Sequence, residues 1–382
     1  MVKLSKIIII LMCVIILAGC WDKVEINDRA FISAIGIDVQ GQGEEIGKKE
    51  VGYKKFIVTF VFPNVKAIRK GGGGEEPRFI LSSMGQNIFH VSRELTTRSN
   101  KTMFFGHTKA IIIGEKVVKD SDTLKQIFDE LERTHEMGRK VGVFISQGEA
   151  KKAIEIEPSL ESVTGTYLVG LSKAKEKSSR FTPKTIGDIL PDLHDSKCTL
   201  IPRIVPADKD IKVAGAAVIR DYKFVGWLGE VENRSVMFIT DEVNSEDIIA
   251  IDDNVMISYF VSDSEVKKTG KMENEQIIVN ITVSMEGALQ QYKLETKNDV
   301  LDDKLLKRLE GVIENKVKNE IDGTIEKIQK EFKADVIGIG EYLYKFKPDI
   351  WDKVKDDWDD VFPEVKIKVN VKAKIRRIGM TK

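Results

Sequence analysis

Cysteine is scarce in this chain of 382 residues, which contains three, at positions 13, 20 and 198. No Cys-x-x-Cys pair occurs, and this excludes a thioredoxin-like redox motif and the common zinc sites built on such pairs. Cys13 and Cys20 lie within or just after an apolar N-terminal stretch. We expect Cys198 to be a packed, unreactive thiol, because the mature chain offers it no disulfide partner and no Cys–His signature surrounds it.

The four histidines are scattered, at positions 90, 107, 135 and 194, and none lies in a His-Glu-x-x-His or similar motif. Gly-x-Ser-x-Gly is also absent, so the usual zinc-protease and hydrolase signatures are missing. The run Gly71–Gly74 is followed by Glu75-Glu76-Pro77, which favours a loop over a phosphate site. The acidic run Asp356–Asp360 lacks the spacing of an EF-hand, which favours a solvated turn with Trp358 packed beneath it. The sequence therefore predicts no catalytic residue, no metal and no cofactor.

Neither sign of charge is in excess, since Lys plus Arg and Asp plus Glu both number 60. Removal of residues 1–19 would take away Lys3 and Lys6 and no acid, which leaves the mature chain with a net charge of −2. Nucleic-acid binding requires a basic face, and this balance predicts no nucleic-acid partner. It also argues against electrostatic attachment to anionic lipid.

Long apolar runs are absent too, and the longest, Ile7–Ala18, falls short of the roughly 20 residues that cross a bilayer. The run follows two lysines and ends in Leu17-Ala18-Gly19-Cys20, the arrangement of a bacterial lipoprotein signal. We expect cleavage between Gly19 and Cys20 and a diacylglyceryl group on the Cys20 thiol, because two acyl chains anchor durably where one binds marginally. A short membrane helix with an incidental cysteine is the alternative.

Almost no spacer separates Cys20 from the first predicted strand, Phe31–Val39, so the folded body should lie close to the membrane. Trp21 and Asp22 are the candidates for contact near the membrane, because tryptophan is enriched at the level of the lipid headgroups. Packing of Trp21 against the protein is an equally good interpretation.

Strand and helix patterns alternate along the first half and predict an α+β protein of several domains. The N-terminal mixed α/β region, of one or two subdomains, should begin with a hairpin of residues 31–39 and 56–62, followed by a helix over 82–99 and a buried strand at 110–113. Prolines at 183, 191, 202 and 206 predict a linker. The expected parts are a signal peptide at 1–19, an N-terminal domain at 20–195, a proline-rich linker at 196–211 and a C-terminal domain at 212–380.

The second half predicts an antiparallel sheet covered by a long amphipathic helix. Its strands are expected at 213–219, 223–228, 236–240, 255–261 and 277–285. Apolar residues recur every three or four positions from Leu305 to Phe332, with Glu314/Lys318 and Glu326/Lys330 as i,i+4 pairs on the other face. Such a stripe favours packing on the sheet of its own domain over a partner-binding coiled coil. In the final predicted strand, 365–375, apolar residues alternate with mostly lysines. Lysines on the outer face protect a sheet edge against pairing with another chain.

Several short motifs follow one another in a fixed order along the chain. The first are Gly19-Cys20-Trp21-Asp22, Gly36-Ile37-Asp38, Gly106-His107 and Val225-Gly226-Trp227-Leu228. The later ones are Asp335-Val336-Ile337-Gly338-Ile339-Gly340, Pro348-Asp349-Ile350-Trp351, Trp358, Phe362-Pro363 and Arg376-Arg377-Ile378-Gly379. The ordered set resembles the Ger(x)C family of spore germination lipoproteins nearly from end to end, although Gly71–Gly74 has no place in it.

The resemblance implies a non-enzymatic C subunit of a nutrient germinant receptor, needed for nutrient-triggered spore germination. Such subunits act with an A subunit and a transporter-like membrane B subunit, and are α+β proteins anchored by lipid on the outer face of the spore inner membrane. One alternative is a solute-binding lipoprotein of an uptake system, which should have two similar lobes around an aromatic cleft. A cell-envelope hydrolase is the other, and the sequence contains no nucleophile or metal motif for it.

Overall fold

The computed structural model describes residues 25–40, 56–69, 76–173, 178–292 and 303–378. Within these ranges the strands are β1 (Arg29–Phe31), β2 (Ala34–Val39), β3 (Phe56–Pro63), β4 (Arg78–Gly85), β5 (Thr102–Phe104), β6 (Ala110–Gly114), β7 (Gly142–Ser146), β8 (Cys198–Pro206), β9 (Ile211–Arg220), β10 (Lys223–Leu228), β11 (Glu246–Asp252), β12 (Val255–Glu273), β13 (Gln276–Gln291) and β14 (Lys366–Ile378).

The helices in the same ranges are α1 (Val65–Arg69), α2 (Ile88–Leu95), α3 (Glu115–Val118), α4 (Ser121–Arg133), α5 (Ala150–Glu155), α6 (Thr164–Lys173), α7 (Ile186–Asp195), α8 (Glu230–Thr240), α9 (Asp303–Glu326), α10 (Ile339–Phe346), α11 (Pro348–Val354) and α12 (Trp358–Val361). A π-helical turn, Lys327–Phe332, continues α9. Single 3-10 turns cover Ile26–Asp28, Phe105–His107, Lys355–Asp357 and Phe362–Glu364.

Eight strands form the first sheet, in the order β10-β9-β8-β7-β6-β2-β3-β4. Its centre, from β2 through β6 and β7 to β8, is parallel. Both flanks are antiparallel, and they include the predicted hairpin of β2 and β3. Strands β1 and β5 form a separate parallel pair. The mixed strand directions, together with the interspersed helices, confirm the α+β class expected from the sequence.

Both faces of the first sheet are covered, because successive residues of a strand point to opposite sides. Ile111 and Ile113 of β6 belong to a core shared with α2, α4 and α7. Ala110 and Ile112 point the other way, into a smaller core formed with α5 and α6. A strand buried on both faces reads as an unbroken apolar run, and the prediction of a buried strand at 110–113 is confirmed.

The helix predicted over residues 82–99 is shorter than expected. Residues 82–85 belong to β4, which pairs with β3, and the helix begins at Ile88. The side chain of Asn87 accepts the N–H of His90 at 2.7 Å and so caps the new start. The predicted apolar face of Ile88, Val91 and Leu95 is buried as expected.

The proline-rich linker predicted at 196–211 is wrong, because these residues contain a strand. β8 pairs with β7 on one side and with β9 on the other. Its prolines fit because Pro202 lies beside an irregularity of the β8/β9 register and Pro206 ends the strand. Strands β9 and β10, expected to open the C-terminal sheet, also belong to the first sheet.

The second sheet has four strands, in the order β11-β12-β13-β14. The first three are antiparallel, but β14 runs parallel to β13, so the purely antiparallel sheet predicted from the sequence is wrong in its last strand. A parallel pair requires a crossover of a dozen or more residues, and α9 to α12 supply it.

Residues 236–240 were expected to form a strand and instead belong to α8. This helix is enclosed on nearly all sides, with Val236, Met237, Phe238 and Ile239 buried. A short apolar run does not distinguish a buried strand from a buried helix, and here the elements around it decide in favour of the helix.

The long helix α9 covers the inner face of the second sheet, as the sequence predicts. Leu309, Ile313, Val317 and Ile321 are buried in one core with β13 and β14. The predicted ion pairs are wrong. In the structure Lys318 pairs with Asp322, and Lys330 pairs with Glu364 at 3.0 Å.

The two sheets share one core. Leu200 of β8, Val218 of β9 and Leu228 at the end of β10 pack in the same cluster as the residues between α9 and the second sheet. The flank of the first sheet therefore forms part of the packing of the C-terminal half.

Candidate functional site

The residues predicted to function at the membrane lie outside the described residues. These are the cleavage and lipidation residues Gly19 and Cys20 and the predicted contacts Trp21 and Asp22. The loop Gly71–Gly74 lies outside them as well. What was expected of these residues therefore stays a prediction.

The described chain begins at Glu25, five positions after Cys20, and continues into the turn Ile26–Asp28. Lys101, which directly precedes β5, holds this corner in place, because its Nζ donates to the carbonyl of Asn27 at 3.0 Å. Ile26 is 74% exposed. This corner is the described part of the fold that lies nearest to Cys20 along the chain, and it carries an exposed apolar side chain.

Cys198 lies at the start of β8 and is buried. Burial raises the pKa of its thiol to about 12, with a smaller contribution from the charge of Asp335. A thiol with such a pKa is almost wholly protonated near neutral pH and is a poor nucleophile. Its burial and its high pKa agree with the expectation of a packed, unreactive cysteine.

The four histidines occupy separate positions in the fold. His107 stacks on Phe31 with ring centroids 4.9 Å apart, whereas His194 meets Glu132 at 3.2 Å on the surface. Within the described ranges no three His, Cys, Asp or Glu side chains come together in a group that could hold a metal ion.

Asp38, from the motif Gly36-Ile37-Asp38, is the next-to-last residue of β2 and caps α5. Its two carboxylate oxygens accept the N–H groups of Ala150 and Lys151 at 2.8 and 2.9 Å. Burial raises the pKa of this carboxyl, and the two backbone N–H groups oppose the shift. The carboxylate thus joins a central strand to the helix on its face, which is a structural role.

Asp335 plays the same part in the C-terminal half. Its carboxylate accepts the N–H groups of Ile339 and Gly340 at 2.9 and 2.6 Å, which caps α10, and the indole N–H of Trp358 at 3.1 Å. Burial raises the pKa of Asp335, while these donors and the charge of Lys268 oppose the shift. These bonds tie the start of α10 to the segment that carries Trp358, so the motif has a structural role in this half.

The motif at the end of β10 meets the turn that follows α9. A Cβ built at Gly226 would lie 2.8 Å from Cζ of Phe332, so only a glycine lets the ring pack this closely. Arg220 of β9 donates to the carbonyl of Lys333 at 2.7 Å. This motif and its neighbouring strand therefore form a joint between the first sheet and the C-terminal half.

A buried ion cluster lies beneath α8 and was not found from the sequence. Arg234 contacts Glu320 of α9 at 2.7 Å and Glu246 of β11 at 3.6 Å. Glu246 also accepts the N–H of Ser179 at 2.6 Å. The only available signal was an arginine beside the apolar run 236–239, which is unusual for a helix that is buried on nearly all sides.

A cleft of about 440 Å³ lies between α2 and α4 and is lined by Phe89, Arg93, Glu130 and Arg133, among others. Glu130 accepts the N–H groups of Ile88 and Phe89 at 3.2 and 3.1 Å. Arg133 is bonded to Asp129 at 3.0 Å. Glu130 and Arg133 are thus already engaged within the fold, as a helix cap and as a surface ion pair.

Comparison with known proteins identifies the family of this chain. The family described as "Spore germination protein N-terminal domain" matches residues 22–206, and the family "Spore germination B3/GerAC like, C-terminal" matches residues 214–379. The chain belongs to the Ger(x)C family of spore germination proteins. The two matches meet inside the β8–β9 hairpin and together span nearly the whole chain.

Family members in Bacillus subtilis (strain 168) align with this Ger(x)C chain over almost their entire length. Spore germination protein YndF is 28% identical, over 100% of this chain and 98% of its own length. Spore germination protein KC is 26% identical, over 98% and 95% respectively. The crystal structure of the GerBC protein has a TM-score of 0.61 and 17% identity over 90% of this chain and 97% of its own, and shows the same fold.

Two further features bear on the predicted alternatives. The two sheets differ in strand number and order, which does not match the two similar lobes expected of a solute-binding lipoprotein. No helix in the described part of this Ger(x)C chain combines the length and the hydropathy needed to cross a bilayer.

Proposed function

We propose that this chain is the C subunit of a nutrient germinant receptor, anchored by lipid at Cys20 and assembled with A and B membrane subunits. The observation that carries the proposal is the alignment over nearly the whole chain with the spore germination proteins KC, B3 and A3. The ordered motifs that the chain shares with this family give the proposal independent support from the sequence.

The lipid anchor on the outer face of the spore inner membrane is supported by Leu17-Ala18-Gly19-Cys20 and by the position of Glu25. Five residues of extended chain reach at most about 18 Å. Glu25, where the described chain begins, would therefore lie within that distance of the acylated cysteine, with Trp21 and Asp22 between them. The body would sit directly on the membrane that holds its partners.

A role without catalysis is supported by the structural roles of two buried acids and by the low reactivity of the buried thiol. Asp38 and Asp335 are committed to helix caps. Burial raises the pKa of Cys198 far above neutral pH. We propose that the chain acts through tethering and surface contact.

The experiment replaces Cys20 with Ala in the native sporulating host and follows nutrient-triggered release of dipicolinate, with subunit levels in the spore inner membrane measured in parallel. Cys13→Ala is the matched control, because it removes a cysteine of the signal and leaves the predicted anchor. We expect Cys20→Ala to lose both release and membrane retention, and Cys13→Ala to keep both.

Two results would contradict the proposal. Normal release with failed uptake of a solute would favour the transport lipoprotein. Normal release, normal uptake and full retention would show that Cys20 is not the required anchor.

A further inference from the structure

Helix α9 seals one part of the free edge of β14. As the last strand of its sheet, β14 has a side without a neighbouring strand. Glu310 accepts the N–H of Ile375, and Glu314 accepts the N–H of Ala373, each at 2.9 Å. These two carboxylates, one helical turn apart, take the place of the missing strand.

The seal ends where the sequence of the helix changes. The next two positions of the same stripe are Lys318 and Asp322, which pair with each other instead of with β14. A lysine has no acceptor for a backbone N–H. Between Ile367 and Val371, the edge of β14 therefore lacks the helix carboxylates that cover it at Ala373 and Ile375.

Three residues of β14 consequently face an open edge. Since N–H groups of alternate residues point to the same side of a strand, those of Ile367, Val369 and Val371 point the same way as that of Ala373. Among the described residues, no hydrogen bond reaches this free side of the three. At the far end the edge is closed again, because Gln329 Nε2 donates to the carbonyl of Val365 at 2.9 Å.

The open edge borders a groove of about 440 Å³ between β14 and the end of α9. Its apolar lining is Ile325, Ile367 and Val369, and its polar lining includes Asp322, Glu326 and Gln329. An unpaired edge beside an apolar groove is the arrangement in which an extended peptide adds to a sheet as one more strand.

The charges beside the groove specify the peptide. Lys366, Lys368 and Lys372 alternate along β14 on the outer face and are exposed, whereas Val369 and Val371 point inward and are buried. A strand paired here would present alternate side chains to the lysines and to the apolar lining. Acidic residues suit the first positions and apolar residues the second.

We propose that this edge groove binds an extended segment of a partner protein in which acidic and apolar residues alternate, and that the segment becomes the fifth strand of the second sheet. A second copy of the chain fits less well, because pairing β14 with another β14 would bring their lysines together. The inference goes beyond the receptor role and does not depend on the lipid anchor.

The test measures binding of a fluorescein-labelled decapeptide of alternating Glu and Val to the full-length protein in detergent micelles, by fluorescence anisotropy. Lys318→Glu should weaken binding by at least about tenfold, because the new carboxylate can take the N–H of Val371 as Glu314 takes that of Ala373. Lys307→Glu makes the same charge change on an exposed position of α9 away from the groove and should leave binding unchanged.

A third arm separates strand pairing from simple charge attraction. The same peptide with every backbone amide N-methylated keeps its charge and has no backbone N–H left to donate, so it should not bind. Equal binding of the methylated peptide, equal affinity of the two variants, or no binding up to about 1 mM would overturn the proposal. A wild-type dimer that Lys318→Glu dissociates in sedimentation would also overturn it, in favour of a second copy.

Discussion

Asp335→Asn tests whether one carboxylate holds the C-terminal half together. The substitution keeps the size of the side chain and replaces one acceptor oxygen with a donor amide. Oδ1 can still accept the N–H of Ile339, but the new NH2 group faces the N–H of Gly340 and the indole N–H of Trp358, which both point at Oδ2. Two buried donors are left without an acceptor.

The magnitude follows from these two donors. Each buried donor without a partner costs about 1–3 kcal/mol, and removal of a desolvated charge offsets part of the sum. We therefore expect Asp335→Asn to lower the free energy of unfolding by about 3 kcal/mol. Urea denaturation of the chain from residue 21 onward, followed by tryptophan fluorescence, measures it.

Two further variants make the result specific. Asp359→Asn changes an exposed acid next to Trp358 and should stay within about 0.5 kcal/mol of wild type. Trp358→Phe should cost less in the Asp335→Asn background than alone, because its hydrogen bond is already lost there. A loss below about 1 kcal/mol for Asp335→Asn, or additive effects of the pair, would refute the reasoning.

Two other predictions concern the joints of the fold. Gly226→Ala should lower the unfolding free energy by about 1–3 kcal/mol, because its Cβ meets the ring of Phe332, and Phe332→Leu in the same chain should restore part of the loss. Burial raises the pKa of Glu130, so its contribution to stability is fully present below the unfolded pKa and is lost as pH rises through the folded pKa. The stability of wild type relative to Glu130→Gln, measured by denaturation from pH 4 upward, should therefore fall with pH; a rise would contradict it.

Local sequence pattern predicted the elements whose burial is regular along the chain. The stripe from Leu309 to Ile321 gave α9 and its packing on a sheet, because positions three and four apart share one side of a helix. The run Ala110–Ile113 gave a strand buried on both faces. In each case the pattern itself encodes the burial.

Local pattern failed where tertiary contacts decide. Pro202 suggested a linker, yet a register irregularity accommodates it in β8. The parallel direction of β14 depends on the route of the chain through the crossover, which no strand pattern records. Glu314 looked like half of a surface ion pair, and its true partner, the N–H of Ala373, is 59 positions away.

The candidate site was predicted only in part. An anchor at Cys20 stays a prediction from four adjacent residues, whereas the resemblance, drawn from the order of motifs, is confirmed by the family matches. The sequence could not show that Lys318 interrupts a row of edge-covering carboxylates, because this meaning arises only when β14 lies beside α9. The ion cluster of Arg234 was likewise hidden, because Glu246 and Glu320 are distant in sequence and come together only in the fold.

The shared hairpin of β8 and β9 has a consequence for how such chains can be recombined. Its first strand falls in the N-terminal family match and its second mostly in the C-terminal one. A hybrid gene joined at that boundary would take the two sides of one hairpin from different parents, although Leu200 faces Val218 and Ile201 faces Ala217. Parents that differ at these facing positions should give poorly folded hybrids, so the two halves are expected to be inherited as a unit.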